Sequence, residues 1–380
     1  MTAAGEANKG PRPAWIDIVG GRLIALAGAF AFAAGVGSLI ILAYGESPMT
    51  IYSTVWRFST SRTQDFAQVL ENATPLIFSG LSVAVAFKAG MFNIGTEGQY
   101  IVGMMTAAAA ALGLGFLPAP ILLPIVILAA VAGAMLWASV PAVLKVKTGA
   151  HEVVTTIMMN GIALSLVGWG ILHPLRSTER QLVDLRTDFF SDKALVPDLA
   201  SSIGLEEQIP PSVHLTWLFP VALLACAGVW FLLFRTRLGY EVRAIGSSPG
   251  AAEAGGVSIG AAQLKIFLIS GALAGFVGLN HLLGDKGHLA SNYESGLGFA
   301  GIAVAFLGRN HPAGIPLAAI LIGMLARGQD GVAVTSRLPT ETLIILQGVL
   351  ILSVVIAYEL VNRVLAKRSL RGAILQQAES

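Results

Sequence analysis

A chain of 380 residues that is 55% hydrophobic and 12% charged carries about half the charged share of an ordinary soluble domain, roughly 25%. With a mean hydropathy of +0.73 it cannot cover a large water-facing globule, so it reads as an all-α integral membrane protein in contact with membrane lipid. The net charge of +2 offers no broad basic surface, and no nucleic-acid partner is expected. The single cysteine, Cys226, lies in an apolar run, so neither a disulfide framework nor a thiolate metal site is expected.

In chain order, a polar tail of residues 1–21 shows no cleavable signal peptide and leads into a transmembrane domain of residues 22–361. A bilayer-spanning helix needs about 20 mostly apolar residues. The pattern predicts about ten transmembrane helices, near 22–44, 72–88, 99–116, 120–144, 152–172, 215–234, 264–284, 296–308, 314–327 and 341–361, with a tail of residues 362–380. The eighth is short enough to be tilted, broken or buried in protein. Ten spans place both termini on one side. Most of the 24 Lys and Arg then fall on that side and most of the 22 Asp and Glu on the other. Basic residues flanking the spans set orientation, which predicts an N-in/C-in topology.

Two loops are long enough to fold. Residues 173–214 form an external, slightly acidic loop. Residues 235–265 form an internal loop that reads as helix, turn, short helix, turn. In it Pro249 suits the first turn of a helix capped by Ser247 or Ser248. That short helix is either a connector or a docking element.

Several chemical motifs match only on the surface. "GLGFAG" (Gly296, Gly298, Gly301) has the spacing of a dinucleotide loop but sits in an apolar helix, so helix packing is expected instead. "GVSIG" (256–260) lacks the strand and partners of a nucleophile elbow and reads as a turn before the seventh span. "HEVVT" has Thr155 where a zinc-binding helix needs its second His, leaving His151 and Glu152 at the membrane interface. Lys147 and Thr148 lack the upstream glycines of a phosphate loop. The chain therefore reads as no enzyme, without its own ATPase site, cofactor or metal; a nucleotide-driven process would draw on another subunit.

The polar residues near membrane depth carry the remaining signal. Asn93, Glu97 and Gln99 lie between two apolar runs in "KAGMFNIGTEGQ", where Gly90, Gly95 and Gly98 break helical continuity. Three readings stay open for them: solvated loop residues, braces between helices, or contacts to a polar solute. Asn160 is either an interhelical brace or part of a pathway. Asn280, His281 and Asp285 lie late in the seventh span, where outer-interface exposure is favoured over a proton relay. Trp169 and Trp217 suit the external aromatic belt. The scarcity of acidic residues deep in the spans disfavours a gradient-driven secondary transporter.

The strings "FKAGMFNIGTEGQ", "HEVVTTIMMN", "VRAIGSSPGAAEAGGVSI" and "GLGFAGIAVAFLGRNHPAGI", in this order from about residue 70 to 360, resemble permease subunits of bacterial ABC importers. The branch is that of ribose-type sugar and branched-chain amino acid permeases, with greatest likeness to the nucleoside and simple-sugar permeases. The resemblance implies an ABC importer permease bundle in the bacterial inner membrane, multi-pass, paired with a second permease as homo- or heterodimer. It implies a cytoplasmic ABC ATPase that binds ATP and Mg, and an extracytoplasmic solute-binding protein. It further implies a translocation path for a nucleoside or simple sugar, touched by Asn93, Glu97, Gln99, Asn160 and Asn280. The coupling loop 235–265 would dock the ATPase through Arg243, Gly246, Pro249, Ala251, Ala252, Glu253 and Gly255. A branched-chain amino acid permease, a secondary transporter and a membrane-embedded enzyme are the competing readings.

Overall fold

A computed structural model describes residues 31–178 and 185–336, with residue 28 and scattered positions between 339 and 356. Both tails and most of the tenth expected span lie outside the described residues. The chain divides into two units, Met1–Ser53 with Val332–Ser380, and Thr54–Gly331. In the first, α1 (Ala31–Ala43) precedes the opening turns of α2 (Pro48–Thr60), which runs on into the second from Thr54, and the Tyr52 hydroxyl donates to the Ala34 carbonyl at 2.8 Å.

The second unit follows as α3 (Thr63–Lys88), α4 (Thr96–Gly113), α5 (Ala119–Thr148), α6 (Glu152–Leu172), the short α7 (Leu199–Ser202), α8 (Leu218–Arg235), α9 (Arg237–Ser247), α10 (Pro249–Ala254), α11 (Ile259–Ala274), α12 (Leu297–Leu307) and α13 (Gly314–Thr335). Among the described residues there is no β-strand beyond two isolated bridges, Arg186 with Ala290 and Asp198 with Thr216. Five described helices (α3, α5, α6, α8 and α13) are long and apolar enough to cross a membrane.

Small residues let the backbones approach, as membrane packing without a strong hydrophobic drive requires. Gly271 of α11 faces Ala138 of α5, and Gly103 of α4 faces the Ala130 carbonyl. Leu128, Leu136, Met158 and Leu224 are exposed; on these apolar helices they form the surface that lipid covers. Trp169 and Trp217 are also exposed, at the ends of α6 and α8 that face residues 173–217.

Three expectations are corrected. A helix at 48–60 was not anticipated, because its sequence alternates polar and apolar residues without a span-length apolar run. The span expected from residue 72 begins at Thr63. Its acidic groups find partners in the protein: Asp65 pairs with Arg327 at 2.8 Å, and Glu71 accepts the His214 backbone N–H at 3.0 Å. The span expected over 264–284 ends at Ala274, and the chain resumes as a π-helix over Asn280–Lys286.

The external loop has its own structure. Asp198 caps α7 by accepting the Ala200 and Ser201 N–H groups, and Ala200, Ile209, Val213 and Leu215 pack on Ala67 of α3. Backbone bonds stitch it to the π-helix region: Val196 N–H to the Leu283 carbonyl at 3.0 Å, and Phe190 N–H to that of Gly287 at 2.7 Å.

Candidate functional site: a polar node at two helix N-termini

The segment after α3 does not emerge as a solvated loop. Asn93 is fully buried, and Glu97 and Gln99 are nearly so, which overturns the solvated reading of these residues. Asn93 and Gln99 bond reciprocally, amide to carbonyl, at 2.9 and 3.0 Å. Asn93 also donates to Ser270 Oγ of α11 at 2.8 Å. Ser82 of α3 lies 3.1 Å from both Thr96 and Ser270, so one hydroxyl and amide cluster joins α3, α4 and α11. Thr96, the first residue of α4, thus lies level with Ser82, six residues back from the end of α3. At 1.5 Å per residue that is about 9 Å inside the bundle.

Asn160 of α6 holds the same segment from the other side. Its Oδ1 accepts the Gly98 N–H at 2.9 Å, and its Nδ2 donates to the Ile94 carbonyl at 3.0 Å. Gly95 and Gly98 leave room for Thr156 and Asn160. The glycines that break the sequence pattern therefore permit close approach of a buried non-helical segment.

Glu97 is the centre of the node. Its carboxylate accepts the Gly296 N–H at 2.7 Å, the Gly298 N–H at 2.8 Å and the Tyr100 hydroxyl at 3.1 Å. Gly296 and Gly298 open α12, so the anion sits at the N-terminus of α12 and in the first turn of α4. Helix N-termini carry unsatisfied N–H groups and a partial positive charge, and both stabilise an anion. Among the described residues the buried acidic side chains are few, Asp65, Glu97 and Glu152, and Glu97 is the one at the node. The carboxylate is fixed by two backbone donors and the Tyr100 hydroxyl. "GLGFAG" proves to be a packing element, as expected. Gly296 takes a left-handed φ of +92°, and a Cβ on Gly298 would lie 2.3 Å from the Glu97 nitrogen.

Asn280 stands apart from the node, in the π-helix, where its Oδ1 accepts from Thr216 Oγ1 at 2.6 Å. His281 lies beside Asp285 at 3.5 Å, and Asp285 also faces Lys286 and His214. Sequence reasoning missed Ser82, Tyr100 and Ser270, whose polar groups are indistinguishable from ordinary helix residues until their partners are known.

The opposite end of the unit holds α9 and α10. Ser248 caps α10 through the Ala251 N–H, with Pro249 at the first position, as the sequence implies. Ile245, Ala252 and Ala262 form the core of this turn. Pro249, Ala251, Glu253 and Gly255 are exposed. Arg243 turns back to donate to the Leu233 carbonyl and lies over the Phe234 ring at 5.2 Å. A Cβ on Gly246 would lie 2.3 Å from the Lys88 carbonyl oxygen, so this helix rests directly on the end of α3. Lys145, Lys147 and Arg235 end α5 and α8 at the same face.

A bundle of long apolar helices with a buried polar node and a short capped helix exposed at one end is a multi-pass membrane protein. The family model for the branched-chain amino acid transport system permease component matches residues 66–355, and the chain belongs to that family. It is a permease subunit of an ABC transporter, residing in the cytoplasmic membrane, and permeases of this type work with ATPase and binding-protein partners. The chain is 36% identical over 340 residues to the guanosine ABC transporter permease NupP of Bacillus subtilis, covering 89% of this chain and 94% of that one. It is 32% identical to the glucose ABC transporter permease TsgB13 of Haloferax volcanii, over 90% and 87% of the two chains. It is 28% identical to the nucleoside ABC transporter permease NupB of Lactococcus lactis, over 85% and 87%.

Proposed function

We propose that this permease forms the translocation path for a nucleoside or simple sugar, with a nucleoside the favoured cargo, delivered by an extracytoplasmic binding protein. The observation that carries this reading is the 36% identity to a guanosine permease over 89% of the chain, on a bundle whose centre is polar and internally satisfied. Asn93, Glu97, Gln99 and Asn160 then form the polar wall of the path, and Asn280 its outer end. In the present conformation their hydrogen bonds close on protein groups. Rocking of α4 and α12 about the Glu97 node would open them to a hydroxyl-rich solute.

The face bearing Lys88, Lys145, Arg235 and α10 is cytosolic in this reading, in line with the N-in/C-in topology that the charge distribution of the sequence favours. A partner ATPase, binding ATP and Mg, docks there through Pro249, Ala251, Glu253 and Gly255. Arg243 and Ala252 support the docking helix from within, and Gly246 lets the preceding helix rest on the end of α3. A second permease, identical or not, completes the path. The test is uptake of labelled guanosine and glucose into proteoliposomes holding the whole importer. ATP-dependent uptake of either supports the reading. Uptake by this chain alone under an ion gradient, or uptake of leucine only, overturns it.

A further inference from the structure

A cavity of about 260 Å³ opens at the end of the bundle remote from α10. The external loop, the π-helix and the segment before α12 build it. The external loop contributes Arg186 and Phe189, the π-helix contributes His281, and the approach to α12 contributes Asn292 and Tyr293, with Met104 of α4 among its lining. The walls are fixed by backbone bonds, since Thr187 N–H donates to the Leu289 carbonyl at 2.9 Å and Phe190 N–H to that of Gly287 at 2.7 Å. The cavity is therefore preformed. Its size falls just under the roughly 300–1,000 Å³ of pockets for drug-sized ligands, which suits one small two-ring solute.

Two further observations point to a ligand. The seven-residue π-helix Asn280–Lys286 is a rare geometry that occurs mostly as single-turn bulges, frequently at functional sites. Below the cavity, Tyr100 lies one turn from Met104 on α4. Its single hydroxyl proton is shared between Glu97 at 3.1 Å and the Glu294 carbonyl at 2.9 Å. That bond joins the cavity wall to the central node, so a solute seated above is one broken hydrogen bond from the polar path.

We propose that this cavity is the site that first receives the solute, and that it takes a nucleoside by its base. Phe189 and Tyr293 supply flat apolar surface, and the Arg186 guanidinium lies over the Phe189 ring at 4.3 Å. Arg and Asn are the side chains that pair with the ring-nitrogen and carbonyl edges of purines, whereas a bare hexose offers no such edge. Tyr100 is the gate between this site and the Glu97 node. The inference rests on the nucleoside reading given above.

The test uses the complete importer in proteoliposomes and the chain alone in nanodiscs, with tritiated guanosine as probe and glucose and guanosine monophosphate as competitors. Tyr293→Ala and Asn292→Ala should each raise the uptake KM about tenfold while leaving uptake at saturating solute within about twofold, because both contacts form before translocation. Tyr293→Phe should keep most of the binding. In nanodiscs the same variants should weaken guanosine binding by a similar factor. Folded variants with unchanged KM, beside a wild type that takes up guanosine, overturn the site and leave the function standing. A wild type that imports neither solute overturns the function, and guanosine binding in nanodiscs then decides the site alone. Stronger competition by glucose or by the monophosphate than by unlabelled guanosine overturns the base-first assignment. If Tyr293→Ala does not yield folded protein, Tyr293→Leu and Asn292→Ser carry the same comparison.

Discussion

The Glu97 carboxylate accepts the backbone N–H of Gly298 at 2.8 Å, across 201 positions of sequence. One buried anion thereby terminates α12 and anchors the start of α4. Replacing it tests the node directly. Glu97→Ala leaves the Gly296 and Gly298 N–H groups without their acceptor, while the Tyr100 hydroxyl keeps the Glu294 carbonyl, and each orphaned buried group costs about 1–3 kcal/mol. We expect a large loss of thermal stability in detergent, read by fluorescence-detected size exclusion. Glu97→Gln keeps the Tyr100 bond but turns an amide NH₂ toward one backbone donor. It should fall between wild type and Glu97→Ala in stability and lose most uptake.

The glycines around this contact act by different means. A Cβ on Gly298 collides with the Glu97 backbone, and overpacking of this kind costs about 1–3 kcal/mol. Gly296 meets no neighbour but holds φ +92°, a left-handed geometry that costs an ordinary residue about 1–2 kcal/mol. Gly161 has open space and an ordinary helical φ. Alanine at 298 and at 296 should each lower the melting temperature, and alanine at 161 should hold or raise it, since alanine favours a helix over glycine by up to about 1 kcal/mol.

Most of the helical architecture was legible because α5 and α8 are long apolar runs that call for a bilayer, and α6 is one broken only by a few polar residues such as Thr156 and Asn160. The capped helix at Pro249 was legible because its signal is local: Ser248, then a proline, then small residues. The start of α3 was not, because Asp65 and Glu71 read as exits to water when their partners, Arg327 and the His214 N–H, lie far along the chain. The depth of Glu97 was hidden for the same reason, since the donors that make it tolerable belong to Gly296 and Gly298. The π-helix has no compositional mark in "NHLLGDK", and its register emerges only where the external loop bonds to it.

The Asp65–Arg327 pair, with both side chains largely buried, predicts an asymmetry. Breaking a buried pair strands its partner and costs about 3–5 kcal/mol, whereas replacing both members with apolar residues is often neutral. Arg327 also contacts Asp330 at 3.1 Å, so Asp65→Leu should fall at the lower end, near 3 kcal/mol. The double replacement Asp65→Leu with Arg327→Met should recover most of that loss in a melting experiment. A double variant no more stable than the single one contradicts the pairing.

His311, in the turn between α12 and α13, predicts a pH effect. Burial holds its imidazole below the ordinary value of 6.5, with the charges of Lys88 and Arg309 adding to the shift. As pH falls through about 6.5 the unfolded chain takes up the proton first. Stability should therefore decline below that pH until the folded state protonates too, and be indifferent to this group above it. His311→Gln retains an acceptor for the Ala313 N–H, which His311 Nδ1 meets at 3.2 Å. It should flatten the slope of melting temperature between pH 7 and pH 5, in part only, because burial also lowers His288.

Residues 246–255 separate docking from folding in a way that a purified importer can read. Ala251 and Glu253 are exposed and make none of the core of their turn, whereas Ala252 is buried against it. Ala251→Trp and Glu253→Arg should leave the melting temperature of the permease unchanged and cut ATP-driven uptake at least tenfold, while ATP hydrolysis by the partner persists. Gly246→Ala should do the reverse in order of cause. Its Cβ meets the Lys88 carbonyl, so the protein is destabilised by about 1–3 kcal/mol and uptake falls with the amount of folded chain. If Ala251→Trp lowers stability without uncoupling, the exposed face of α10 is no docking surface, and the force of ATP hydrolysis must enter the bundle elsewhere.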